Sequence, residues 1–395
     1  MLVDGVDGAI DQMFFQHFTC RLGKVLSVND RHNPFFEIIV PMAFSHAGLM
    51  HSLLYLSGSC LVASQSHPSP AWEQRQEHHS SRAMRLLQED LSRPTTLDEH
   101  GQAVAMVADP SIAQTLILCL QTVCAGDTTG SWRFHLNAMK EILTQHRCTF
   151  GNEQLRSFIL EFLIYHDYSS SITSLYNPID QRSIDLMEGF NLPEFMIQPQ
   201  AGTLLGVLDG LFGFISRIRH LRDQIRQRRD QGYGNWWDAP IISEAFMIDE
   251  ALRKWTCVHP PNSPRYVASL LYRQCTWIYL ERTVQPSRSS PTFTRAVNEG
   301  LQYLRMLPWD TEDGSTQSIL LMPLFLLGCA AFEPDQRPEI TAAFQRLQDW
   351  SSLGNIKYAR LIVEQVWSMM DEGREEETWD WETIIAHRGW DFLVT

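Results

Sequence analysis

Long hydrophobic runs are scarce in this 395-residue sequence. The longest, Ile319 to Phe332, falls short of the roughly 20 apolar residues a bilayer crossing needs, and Pro323 and Gly328 interrupt it. The N-terminal stretch MLVDGVDGAIDQ is acidic and has no apolar core, so it does not read as a signal peptide. None of the eight cysteines falls in a C-x-x-C pair, and several sit in apolar stretches such as LILCLQTVC. That pattern points to free buried thiols in a reducing compartment, nucleus or cytoplasm, and not to a disulfide framework. Nucleophile elbow, phosphate-binding loop, dinucleotide fingerprint and zinc-protease motif are all missing, so no catalytic residue or cofactor is assigned. Positive charge is also in deficit. Against 46 acidic side chains stand 32 basic ones, for a net charge of −14. Such a surface repels a phosphate backbone.

What the chain has in plenty is helix-forming periodicity. Apolar residues make up 44%, with twelve Trp and twenty Phe to fill a core. Phe14, Phe15, Phe18, Leu22, Val25 and Leu26 form one stripe, which Asp7 or Asp11 could cap. Asn33–Pro34 is a start signal for a helix over FFEIIVPMAFSH that Pro41 should kink or end. Further helices are predicted at Leu49–Leu61, 70–92, Ser111–Val123, Trp132–His146, Phe158–Ser174, 203–230, 242–256, 264–284, 292–306, 316–332, 336–350, 355–371 and Trp381–His387. Period-two alternation never lasts more than a few residues. The expectation is an all-α fold, a multi-helix bundle or an α-superhelix of packed helix pairs. It would be a single domain over 1–395, with two packed halves, 1–230 and 241–395, as a variant joined by the loop 231–240.

Chemistry-bearing clusters are few. His46 and His51 are five apart and His78–His79 are adjacent, so neither pair shares one helix face and no metal site is expected. RIRHLRDQIRQRRD carries arginines at 217, 219, 222, 226, 228 and 229, yet Ile218, Leu221 and Ile225 mark an inward face and Asp223 and Asp230 offset charge. A solvated helix face is the favoured reading over a phosphate contact. The acidic run Asp371–Glu377 reads as a solvated segment too. Trp132, His135, Tyr165, His166 and Asp167 place aromatic, imidazole and carboxylate groups on consecutive helices. They are the candidates for a ligand pocket between helices, although Tyr165, His166 and Asp167 diverge within their own helix.

Six segments, in order, carry a resemblance. They are NPFFEIIVPMAFSHAGLMHSLLYLSGSCL at 33–61, TLILCLQTVCAGDTTGSWRFHLNAMKEIL at 115–143 and FLIYHDYSSSIT at 162–173, followed by LYRQCTWIYLERTV at 271–284, ILLMPLFLLGCAA at 319–331 and DWETIIAHRGWDFLVT at 380–395. Together they resemble the fungal-specific transcription factor regulatory domain, usually found downstream of a zinc binuclear-cluster DNA-binding module. The resemblance implies an all-helical domain that controls activation, responds to small molecules and contacts other proteins, often in secondary metabolism or nutrient use. The six closely spaced cysteines of the DNA-binding module are missing from this chain, which argues against direct sequence-specific DNA binding by it. The expected partners are transcriptional co-regulators, a homologous factor or a second copy, and a hydrophobic small molecule; no membrane is expected. The rival reading is a stand-alone relative acting as a cofactorless cyclase or isomerase, or as an accessory protein, in a biosynthetic pathway.

Overall fold

A computed structural model describes residues 5–28, 32–65, 67–92, 96–97, 103–104, 106–144, 150–175, 210–232, 238–257, 259–285, 290–309 and 316–395. Helix α1 (Ala9–His17) runs on through a π-helical turn, Phe18–Leu22, into Gly23–Val25. Phe14, Phe18, Leu22 and Val25 are its buried stripe, while Phe15 stays half-exposed. Neither candidate cap acts as expected. Gly8 holds the N-cap position, and Asp11, buried in the first turn, reaches back to accept the Asp7 N–H at 2.8 Å. That satisfies a donor which the helix itself leaves open.

The Asn33 side chain opens the next element by accepting the Phe35 N–H at 2.9 Å and donating to the Gly23 carbonyl at 2.8 Å. A second π-helical turn, Phe35–Ile39, gives way to the short α2 (Val40–Ala43), which carries Pro41 near its start. Proline has no N–H to donate, and a widened turn just before it absorbs the missing bond. Then come α3 (Ala47–Ser64) and α4 (Pro70–Ser92), an antiparallel pair, followed by α5 (Asp109–Cys124), α6 (Trp132–Thr144) and α7 (Glu153–Thr173). Between α4 and α5 a two-residue antiparallel ladder, Thr96–Leu97 with Ala103–Val104, is the only β pairing of named strands among the described residues. By length and composition α3 could cross a membrane, but two thirds of it is buried as the central helix of the first core.

The second half begins with α8 (Leu211–Asp230); Leu204 and Leu208 lie outside the described residues. Next are α9 (Ala239–Lys254), α10 (Pro264–Val284) and α11 (Pro291–Met306), all starting at the polar residue the sequence supplies. Asp238, Ser263 and Ser290 each accept an N–H three residues on, at 3.1, 3.2 and 3.2 Å, and a proline occupies the first turn of each helix. Cap and proline together fix these starts. The predicted helix over 316–332 is interrupted: a 3-10 turn, Thr316–Ile319, precedes α12 (Leu321–Gly328). Every residue of α12 is buried. Around it pack α13 (Arg337–Ser351), α14 (Asn355–Asp371) and α15 (Trp381–His387).

Two apolar cores result. The first gathers buried residues of α1–α3 and α5–α7 up to Leu163, with Ala83 and Leu87 of α4 and Leu118 of α5 as a small satellite; the second takes Val28 and then runs from Ile164 through α8–α15. The two cores meet within α7, whose N-terminal part, up to Leu163, serves the first and whose C-terminal part, from Ile164, serves the second. The C-terminal residues close the joint. Phe392 and Val394 point into the second core and Leu393 into the first, as alternation along an extended strand requires. Thr173 donates to the Phe392 carbonyl at 2.7 Å, Asn355 to the Leu393 and Thr395 carbonyls at 3.1 and 2.7 Å, and the Asp391 N–H to the Thr128 carbonyl at 2.8 Å.

Where α5 ends and α14 begins, the two halves touch backbone to backbone. The Gly354 N–H donates to the Cys124 carbonyl at 2.7 Å, Gly126 has a φ of 73°, and a Cβ at Gly354 would lie 2.4 Å from the Ala125 oxygen. A side chain there must push two helix ends apart. Gly354→Ala is expected to lower stability by about 1–3 kcal/mol, read as a fall in the urea midpoint with an unchanged slope.

Candidate functional site

The expected pocket residues surround α6 and α7 but do not converge. Gly126 and Gly130, both at positive φ, turn the chain between α5 and α6, and Asp127 holds the turn by accepting from Thr129 N and Oγ1 at 2.5 and 2.7 Å. Trp132 is buried in the first core, with the Arg133 guanidinium 4.3 Å above its ring. His135 is half-buried, and burial lowers its pKa. Tyr165 turns the other way into the second core, 5.7 Å from the Phe212 ring, where burial raises its pKa and Tyr272 hydrogen-bonds to it. His166 stacks on Phe162 with ring centroids 4.0 Å apart, and its Nδ1 donates to the Phe162 carbonyl at 2.9 Å. Asp167 forms a buried ion pair with Lys140. These side chains stitch helices together, each in its own direction.

The basic helix departs from expectation more sharply. Arg219 and Arg222 are 2% and 0% exposed, so this face of α8 is interior. Arg219 donates to the carbonyls of Ser171 and Ser174, capping the C-terminal end of α7 where a cation is favoured. Arg222 grips Glu382 at 2.8 and 2.6 Å and lies 4.3 Å from the Trp381 ring centroid. Burial disfavours its charge, but the Glu382 carboxylate outweighs burial and holds the pKa up. Arg226 pairs with Asp380 at 2.8 Å and Asp223 at 2.7 Å. Arg217 and Arg228 reach Glu244 and Asp238 at 2.7 and 2.5 Å, and Arg229 lies 5.0 Å from the Trp379 ring. All six arginines are thus engaged by groups of the same chain, Arg219 and Arg222 in the interior and Arg217 and Arg228 at the surface, which disfavours the helix as a phosphate-binding face. The missed signal was spacing: 219, 222 and 226 follow the same three- and four-residue steps as Ile215, Ile218 and Ile225. The run Asp371–Glu377 behaves as expected, exposed throughout, with Arg374 paired to Glu377 at 2.7 Å.

Arg133 completes the joint. Its guanidinium pairs with Asp391 at 2.5 and 3.0 Å and donates to Ser174, tying α6, the end of α7 and the C-terminal strand. Beside this joint opens a groove of about 570 Å³ that both halves line. Ala63 and Ala125 come from the first half; Phe344, Lys357, Arg360 and Glu364 are among those from the second. Arg360 is held by Glu364 at 2.7 Å, and the Lys357 ammonium lies 5.8 Å from the Tyr358 ring. The lining joins apolar Phe344, Ile356 and Leu361 to the charged Lys357, Arg360 and Glu364, a mix that suits a small molecule with an apolar body and a charged group. None of the five pocket residues expected from sequence lines it.

Removing one member of a buried pair strands the other. Glu382→Ala should therefore lower stability by about 3–5 kcal/mol, measured by urea unfolding. A pH effect follows from His166. Burial lowers its pKa to about 4, with the Phe162 hydrogen bond working weakly the other way. In the unfolded chain the imidazole binds a proton near about 6.5. The unfolded state then takes up more protons, so stability falls as pH drops from about 6.5 toward 4 and is unaffected above that window. His166→Gln should shrink the difference in unfolding free energy between pH 7 and pH 5 by up to about 2 kcal/mol.

Comparison with known proteins adds an independent line. A family model described as the fungal specific transcription factor domain matches residues 12–395. Among curated proteins, the chain is similar to the transcriptional activator protein UGA3 of Saccharomyces cerevisiae, at 20% identity over 432 residues that take in 95% of this chain and 77% of that protein. No solved structure matches.

Proposed function

We propose, from the premise that this chain belongs to the fungal-specific transcription factor domain family, that it is an effector-responsive regulatory domain acting in the nucleus on a metabolic gene set. The single observation that carries the reading is the family match, which spans all but eleven N-terminal residues. A relative named as a transcriptional activator agrees with it.

The proposed mechanism is a shift between two packings of the halves. A ligand moves such an equilibrium only by its difference in affinity for the two states. The groove with one wall on each half supports this, because a molecule gripping both walls favours the packing in which they stand at the right separation. Lys357 and Arg360 would hold its anionic group, and Phe344 and Tyr358 its apolar body. The output would be contact with a transcriptional co-regulator or a homologous factor. The net charge of −14 and the internal engagement of the α8 arginines favour leaving DNA contact to another module.

The test is a fusion of the whole chain to a DNA-binding module of known site, expressed with a reporter in a fungal host. Reporter output is expected to differ several-fold from the DNA-binding module alone and to vary with the carbon or nitrogen source. Lys357→Glu and Arg360→Glu should remove that variation while leaving the protein folded. A folded, nuclear fusion whose output equals that of the module alone under every growth condition would overturn the reading. So would sequence-specific, salt-dependent DNA binding by the isolated chain.

A further inference from the structure

The adjacent His78 and His79 meet a third imidazole, His51, that the sequence keeps apart from them. His51 lies on α3, and His78 and His79 on α4. One potential ligand atom from each falls within 4.8 Å of the other two. Helix-by-helix spacing could not show this, since the cluster is made between helices. His51 and His79 are buried and His78 is exposed, so the group sits in the wall of the first core with one side open to water.

The surroundings are built, not accidental. His79 Nε2 faces Asp11 Oδ1 at 3.0 Å, and the Asp11 side chain is 1% exposed. Asp11 in turn takes Arg75 Nε at 2.6 Å, Arg75 Nη2 at 2.5 Å and the Asp7 N–H at 2.8 Å. Asp11 is therefore an anion and can only accept, so His79 Nε2 carries the proton. That fixes the tautomer and leaves the Nδ1 lone pair of His79 aimed away from Asp11, at His51 Nδ1, 2.8 Å off. A carboxylate that orients an imidazole from behind is the usual outer partner of a metal-bound histidine.

We propose that His51 and His79, each through Nδ1, and His78 from the solvent side form a binding site for a divalent transition metal of the Zn²⁺ class, with Asp11 as the positioning carboxylate. Three imidazole donors select Zn²⁺, Cu²⁺, Ni²⁺ or Co²⁺ over Mg²⁺ and Ca²⁺, which take oxygen ligands. Two nitrogens on one tetrahedral Zn²⁺ at roughly 2.0–2.1 Å stand about 3.3 Å apart. The observed 2.8 Å is a hydrogen bond, with His51 Nδ1–H donating, and a small rotation of the two rings opens it to the metal distance. On binding, the His51 proton moves from Nδ1 to Nε2, both rings stay neutral, and water takes the fourth position. The ion would join α3 to α4 and, through Asp11, to α1.

The experiment uses the whole chain, stripped by chelator and titrated with Zn²⁺ in competition with a chromogenic chelator, and with Co²⁺ as a spectroscopic probe. One equivalent of Zn²⁺ is expected, with visible d–d absorption of nitrogen-ligated Co²⁺ and a rise in melting temperature. His78→Ala, at an exposed position that leaves the core intact, should weaken binding at least tenfold. Asp11→Asn should weaken it roughly 10- to 100-fold, and circular dichroism checks that the variant is folded. Failure of the native chain to take up a stoichiometric ion overturns the proposal. Equal uptake by native chain, His78→Ala and a folded His79→Gln also overturns it, because the ion then sits elsewhere, for example on the exposed Cys20.

Discussion

A guanidinium with no water around it is the constraint on which the joint between the two halves depends. Arg222 is wholly buried, and its charge is tolerated only because Glu382 and the Trp379 carbonyl meet it and three aromatic rings, Tyr279, Trp379 and Trp381, enclose it. An uncompensated ion at that depth would be far costlier than any single packing contact. So α15 must dock where Glu382 can reach α8, and Trp381 then donates to the Ile172 carbonyl at 2.8 Å. Docking α15 delivers the chain after it, Asp391 to Thr395, to the crevice between the cores.

The joint differs in character from what it joins. Each core is apolar and closely packed, and such packing resists gradual deformation. The junction relies on directional contacts instead: Arg133 to Asp391, Arg219 to the end of α7, Asn355 to the final carbonyls. Hydrogen bonds and ion pairs can be exchanged for others at modest net free energy, whereas an apolar core must be opened whole. Such a junction between two cores is what the proposed effector response requires, since an effector would then need to act only on the junction.

The helices were legible because burial writes itself into spacing. Boundaries such as Pro70–Ser92, Asn355–Asp371 and Trp381–His387 coincide with those read from apolar steps, caps and prolines. Six segments in order also identified the family, which the match over residues 12–395 bears out. Interactions between distant helices were not legible. Nothing in RIRHLRDQIRQRRD states that Arg222 meets a glutamate 160 residues later, and a basic run on a helix reads by default as solvated. The same limit hid His51 beside His79, and placed the candidate pocket on α6 and α7, whose side chains face separate cores. Sequence distance within a helix predicts which groups share a face; it is silent on which helix lies opposite.

The strand that wedges between the halves comes late in the chain, and both of its partners come earlier. During synthesis the first core can assemble once α7 has left the ribosome, because its members other than Leu393 lie before Ile164. The second core lacks Trp381, Phe392 and Val394 until the final residues emerge, and Arg222 meanwhile has no Glu382. Vectorial folding therefore leaves a half-made protein with one finished module and one waiting for its keystone. A chain stopped between Asp371 and Glu382 would carry a stranded cation and an open apolar crevice, the kind of surface that quality-control machinery recognises.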